Sequence, residues 1–164
     1  MTEGATQPGL GTPRGAAKLP PRWFVRTVWA LHRGLYAASG GRLGSKQATE
    51  TRAGTLRLRT IGRRTGEERH VMLAYIYDGD DFVTMAMNGW ASPEPNWWLN
   101  LQANPEAWVD INEATIPVTG RAATPEERTE LWPRLAGVAR NLDDYAALRA
   151  HETAVVILEP RVEG

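Results

Sequence analysis

Thr55-Leu56-Arg57-Leu58-Arg59-Thr60-Ile61-Gly62-Arg63-Arg64-Thr65-Gly66 is the stretch from which the rest of the chain is read. Its first half alternates leucine with arginine, the period of two expected of a strand with one face in a core and the other in water. Its second half is a glycine-bounded turn carrying two arginines. Arg69–Tyr77 then reads as a second, nearly all-apolar strand, and Asp78-Gly79 signals a hairpin with a loop slightly longer than two residues. Phe82–Met87 is a third strand, followed by the loop Asn88-Gly89-Trp90 and the run Asn96-Trp97-Trp98-Leu99-Asn100-Leu101, a short helix ending before Pro105. Arg63 and Arg64 offer forked donors to phosphate, Gly62 and Gly66 let backbone amides approach, and Thr65 adds a hydroxyl. Taken together, the stretch reads as a holder for an anionic, phosphate-bearing ring cofactor.

Upstream, the composition changes. No Asp or Glu occurs between Leu10 and Thr49, where Arg14, Lys18, Arg22, Arg26, Arg33, Arg42 and Lys46 give a local charge of +7 in a chain whose net charge is zero. Residues 1–19, rich in Gly, Pro, Thr and Ala, read as a disordered lead. Residues 20–54 read as a helix, from Pro20-Pro21 to about Ala38, and a connector. Phe24, Val28, Leu31 and Leu35 fall on one side of that helix, and Arg22, Arg26 and Arg33 on the other. Two uses fit this pattern: an apolar stripe packed on the domain with its arginines in water, or attachment to an anionic membrane surface with Trp23 and Trp29 at the headgroups.

Downstream, Ala107–Ile111 and Thr115–Arg121 are strands joined at Asn112-Glu113. Thr124-Pro125-Glu126-Glu127 is a capping box that starts a helix, in which Pro133 should introduce a kink or mark a late first turn. Asp143-Asp144-Tyr145 opens another short helix, and Thr153–Leu158 is a last strand. Six short antiparallel strands with helices inserted late predict a mainly β protein, a closed or partly closed barrel over residues 55–164.

Several chemistries are excluded or disfavoured. Without cysteine there are no disulfides and no thiolate nucleophiles or ligands, which suits a reducing cytoplasm. His32, His70 and His151 are too scattered to suggest a histidine-rich metal site. No apolar run reaches the ~20 residues of a membrane span. The arginines lack interleaved stacking aromatics, so nucleic acid is not an expected partner. No catalytic nucleophile motif appears, so any hard chemistry falls to a cofactor. Each feature alone also has a plainer reading: a solvated turn at Arg63-Arg64, a simple loop at Asn88-Gly89, and a core pair at Trp97-Trp98. One of those tryptophans is expected to pack inward and the other to line a cleft.

In combination the parts are more specific. The pattern Leu58-x-Thr60-x-Gly62-Arg63-Arg64-Thr65-Gly66, then Arg69, an apolar strand, Asp78-Gly79-Asp80 and Pro95-x-Trp97-x-x-Asn100-Leu101-x-Ala103-Asn104-Pro105 resembles the deazaflavin-dependent nitroreductase family of actinobacteria. The segments Leu31–Tyr36, Gly40–Gly44, Thr124–Leu135 and Val155–Pro160 are similar to it as well. The resemblance implies a split β-barrel of the FMN-binding type and a cytoplasmic oxidoreductase using coenzyme F420, peripheral on the inner face of the plasma membrane if the N-terminal helix binds there. Its acceptor would be a quinone, nitroaromatic or enone. It implies that the coenzyme's phosphate and acidic tail meet Arg63, Arg64, Thr65 and Arg69, and that its ring lies along His70, Val71, Met72, Leu73, Met87, Asn88 and Gly89. Asn96, Trp97 and Asn100 would lie nearby, and Tyr145 would act on the substrate side. A homodimer is a candidate assembly. The family's usual Ser-Lys-Gly-Gly reads Met87-Asn88-Gly89-Trp90 here, Leu142 stands where a second aromatic is frequent, and His151-Glu152 replaces an Arg-Thr pair. A non-redox lipid- or ligand-binding member of the fold, and an FMN- or haem-linked barrel of the pyridoxamine-oxidase type, are the competing readings.

Overall fold

In β1 (Gly54–Ile61) every second residue is buried, and Leu56, Leu58 and Thr60 point into one core. The computed structural model describes residues 45–88 and 93–162, so the expected lead, the arginine-bearing helix with its proposed membrane contact, Gly89 and Trp90 lie outside the described residues. The remaining strands are β2 (Glu68–Asp78), β3 (Asp81–Met85), β4 (Glu106–Ile111), β5 (Ala114–Ala122) and β6 (Val155–Pro160). All pairings are antiparallel, and the order β1-β2-β3-β6-β5-β4 closes on itself through β1 and β4. This is the expected six-stranded barrel, and the β1–β4 pairing covers the two edges that those strands would expose in an open sheet.

Three helices are described: α1 (Asn96–Ala103), α2 (Pro125–Val138) and α3 (Leu142–Ala147). At eight residues α1 is too short to hold itself together in water, so docking maintains it. It contributes Trp97, Trp98 and Leu101 to the cluster that fills the barrel, at roughly 1.5–3 kcal/mol for each large apolar side chain buried. Opposite α1, Gly120 leaves the space it needs: a Cβ there would sit 2.9 Å from Leu101 Cδ1. Helix α2 begins in the expected capping box, Thr124 with Glu127, and runs through Pro133 without stopping, so the proline does not mark a late first turn. Its Leu131 and Leu135 pack with Leu142 of α3 against Ile76, Val83, Val155 and Ile157 on the outside of the barrel.

Some boundaries differ from expectation. The β2–β3 hairpin is tight, because Asp78 pairs with Asp81 across only Gly79-Asp80 and Gly79 adopts φ +59°, which closes the loop in two residues. The last strand starts at Val155, two residues late; the Thr153 carbonyl accepts from the Arg128 guanidinium rather than from a neighbouring strand. Inside the barrel, Tyr75 is fully buried. Its hydroxyl accepts from Ala48 N at 3.1 Å and donates to the Tyr77 hydroxyl at 3.4 Å, and burial pushes its phenol well above the usual range.

Candidate functional site

The arginine turn and the tryptophan helix, over thirty residues apart in sequence, meet directly. Ile61 pairs with Glu68, so Gly62 to Glu67 form the loop, closed by Gly62 N to Glu67 O at 2.7 Å and Gly66 N to Gly62 O at 2.8 Å. Asn100, buried on α1, accepts from Arg63 N at 3.2 Å and from Arg63 Nη1 at 3.0 Å. Its Nδ2 donates to the buried Thr60 Oγ1 at 3.3 Å, and Asn96 Oδ1 takes Arg63 Nη2 at 3.3 Å. Asn100 therefore spends its side-chain groups on shaping the turn, and Arg63 spends two donor groups on the helix. Arg69 is paired with Glu67 at 2.8 Å, and Thr65 Oγ1 accepts from Glu67 N at 3.3 Å. Arg64 is exposed and has no partner among the described residues. Among the described residues it is the cation of the turn whose donors are all uncommitted.

Along β2 the expected ring residues divide between two faces. Val71 and Leu73 stand opposite Leu58 and Leu56 on the inward face, whereas His70 and Met72 stand opposite Arg59 and Arg57 on the outward face. What the four share is a strand edge. β2 pairs with β3 only at Ile76, Tyr77 and Asp78, and just beyond, Thr84 Oγ1 donates to the Ala74 carbonyl at 2.7 Å. Backbone groups alternate between edges along an antiparallel strand, so the amides and carbonyls of Met72 and His70 face the same side as that carbonyl. No described strand pairs with them there. Among the described residues β2 and β3 part at this edge, a slot bordered by backbone donors and acceptors and ending at the arginine turn.

The far side of the slot is the end of β3. Ala86 is buried and bonds to Ala154, Met87 is half-buried, and Asn88 is exposed. Met87 packs on the outer cluster that contains Leu142 of α3, and Tyr145, half-buried, lies one helical turn from Leu142 on the same face. This brings Tyr145 to the β3 side of the molecule, away from the arginine turn. Both tryptophans are buried, Trp97 at 7% and Trp98 at 6% exposure, with ring centroids 6.3 Å apart, so the expected split into one core and one cleft residue does not occur. α1 lies in the barrel mouth and is enclosed on more than one side, so adjacent positions both pack. Three residues to which sequence reasoning gave no role at the site also stand here: Thr60, Glu94 and Arg149. Thr60 was visible as the inward member of an alternating strand, whereas Glu94 and Arg149 carried no signal.

A family model described as F420H(2)-dependent quinone reductase matches residues 28–160. A protein of Mycobacterium tuberculosis (strain ATCC 25618 / H37Rv) named F420H(2)-dependent quinone reductase is 28% identical over 147 residues, covering 85% of this chain and 97% of that protein. Among solved structures, one titled "Structure of F420-H2 Dependent Reductase (FDR-A)" superposes with a TM-score of 0.59 at 24% identity, covering 64% of this chain and 93% of that one. Another, titled a domain-swapped dimer, gives a TM-score of 0.61 at 22% identity over 82% of this chain and 99% of that one. At these identities the two structures attest the fold.

Proposed function

Because this chain belongs to the F420H(2)-dependent quinone reductase family, we propose that it reduces a quinone with coenzyme F420 seated along the parted edge of β2. The observation that carries the placement is the combination, among the described residues, of an uncommitted cation, Arg64, at one end of the slot with backbone groups of Met72 and His70 along it that no described strand pairs. A phosphate and carboxylate tail suits Arg64, with Arg63 held ready by Asn96 and Asn100, and Arg69 recruited from Glu67. A flat, polar-edged ring suits the strand edge, where amides and carbonyls need partners. The residues present therefore fit the group. The bound, reduced coenzyme supplies a hydride to the acceptor.

The protein's part is to bind, orient and keep water out. Val71 and Leu73 give the slot an apolar flank, and the β3 end at Met87 and Asn88 closes the other side. Addition of a hydride to a quinone leaves an oxyanion that takes up one proton from water. The Tyr145 hydroxyl is the proposed hydrogen-bond donor to that oxygen. Trp97 belongs to the core beneath the site, and Asn100 supports the turn; neither is assigned a contact with the coenzyme.

The test is a fluorescence titration of purified protein with oxidised coenzyme, followed by anaerobic turnover of the reduced coenzyme with menadione. Micromolar binding and quinone-dependent oxidation of the reduced coenzyme are the expected results. Absence of a fluorescence change at micromolar coenzyme would overturn the reading, and a fatty acid found by mass spectrometry in the extracted protein would then favour the ligand-binding alternative.

A further inference from the structure

Arg149 is the most deeply buried charged side chain among the described residues, and the proposed reaction gives it no role. Its side chain is 0% exposed. Its Nη1 donates to the Ala86 carbonyl and to Thr153 Oγ1, each at 2.8 Å. Its Nη2 lies 3.4 Å from Glu94 Oε2 and 3.1 Å from His151 Nε2. His151 Nε2 in turn stands 2.6 Å from the other oxygen of the Glu94 carboxylate. His151 thus makes a second contact to the same carboxylate.

The groups Arg149 touches belong to separate parts of the proposed site. Ala86 precedes Met87 and Asn88 at the β3 end, and Glu94 stands two residues before Asn96, where α1 begins. Arg149 itself follows α3, four residues after Tyr145, and its own amide bonds to the Ala146 carbonyl at 3.1 Å. Burying a guanidinium is costly, and among the described residues it is not fully compensated: Arg149 Nε and Glu94 Oε2 are both buried there without a hydrogen-bond partner. An apolar side chain would fill the same space without that cost. The guanidinium is suited to something else, gripping several acceptors in a fixed fork.

We propose that Arg149 is a positioning residue that sets the β3 end, the start of α1 and the Tyr145 helix in register around the coenzyme ring. The inference rests on the coenzyme placement proposed above, but its structural content is separable from it. Removing the fork frees Met87 and Asn88 on one side and the α1 lead on the other. The β1–β4 wall of the barrel, which Arg149 does not touch, stays intact.

Hydrogen exchange on the coenzyme-free protein, followed by coenzyme titration, tests this with Arg149→Met, Arg149→Lys and Glu94→Gln. In Arg149→Met, amides at 86–88 and 94–98 exchange faster while β1 and β4 remain protected, and the coenzyme Kd rises about tenfold or more. Arg149→Lys keeps the charge but not the fork and recovers only part of that loss. Glu94→Gln leaves the bonds to Ala86 and Thr153 in place, so faster exchange is confined to 94–98; this variant carries the test if Arg149→Met does not fold. Unchanged exchange at both segments, or uniform loosening that includes β1 and β4, overturns the proposal. If wild-type protein binds no coenzyme, the placement fails, and the exchange pattern still decides the role of Arg149.

Discussion

Replacing Asn100 by alanine removes the link between the helix in the barrel mouth and the arginine turn, and its cost can be worked from the structure. Three hydrogen bonds disappear: from Arg63 N, from Arg63 Nη1 and to Thr60 Oγ1. The guanidinium is exposed and finds water, so its bond contributes little net stability. The two neutral bonds are worth about 1 kcal/mol each, and Thr60 Oγ1, at 1% exposure, is left with a desolvation cost. The sum is about 2–3 kcal/mol, or a fall in Tm of about 5–10 °C for a chain of this size. Coenzyme affinity falls as well, by about tenfold, because binding must then order the Gly62–Glu67 turn. Thermal melts and coenzyme titration read the two effects. Thr60→Val supplies the control: it removes the same bond from the other side, so the double variant should be less destabilised than the sum of the singles by about 1 kcal/mol. A Tm within 2 °C of wild type for Asn100→Ala, or strict additivity with Thr60→Val, would refute the assignment of Asn100 as the turn's support.

Three further outcomes follow from single contacts. Arg64→Ala, at an exposed residue with no partner among the described residues, is expected to leave the Tm unchanged and weaken coenzyme binding about tenfold, so a stability loss without an affinity loss would contradict the anchor. The Arg121 guanidinium and then the Thr124 amide hold the Glu127 carboxyl down at about 2. Its folded value lies below its unfolded value, so its contribution is present above about pH 4.5 and is lost as pH falls toward 2. Urea midpoints measured across that window should therefore converge for wild type and Glu127→Gln at the acid end. Gly120→Ala places a methyl 2.9 Å from Leu101 Cδ1 and is expected to cost about 1–3 kcal/mol by urea denaturation.

The barrel was legible where a physical constraint repeats along the chain. β1 alternates because one face meets the core and the other meets water, and the capping box at Thr124 is a local signal that needs no partner elsewhere. Hairpin lengths were less legible, since whether Asp78-Gly79 closes in two residues depends on the left-handed backbone that Gly79 adopts. The tryptophan pair misled because adjacent helical positions normally diverge by 100°, a rule for a helix lying on a surface rather than in a barrel mouth. The support that Asn100 gives the turn, and Arg149 altogether, escaped for a related reason. A polar side chain on a helix that carries a ligand motif reads as a ligand contact, and an arginine in a polar segment reads as solvated. Only the fold shows that the partners of Asn100 lie 37 and 40 residues away and that Arg149 reaches 63 residues back to Ala86.

These two residues divide the support of the site in an asymmetric way. The turn hangs on α1 through Asn96 and Asn100, and the β3 end is tied to the lead of the same helix through Glu94 and Arg149. An eight-residue helix that is stable only while docked thus connects the arginine turn to the β3 end. A perturbation beneath α1, such as a methyl at Gly120 pressing on Leu101, should therefore loosen both ends together. Arg64→Ala should affect only the turn, and Glu94→Gln mainly the β3 side. Coenzyme Kd measured across these variants distinguishes one rigid support from two independent ones: with a shared support, adding Glu94→Gln to Gly120→Ala costs less affinity than it does in wild type, whereas adding Arg64→Ala costs the same in both backgrounds.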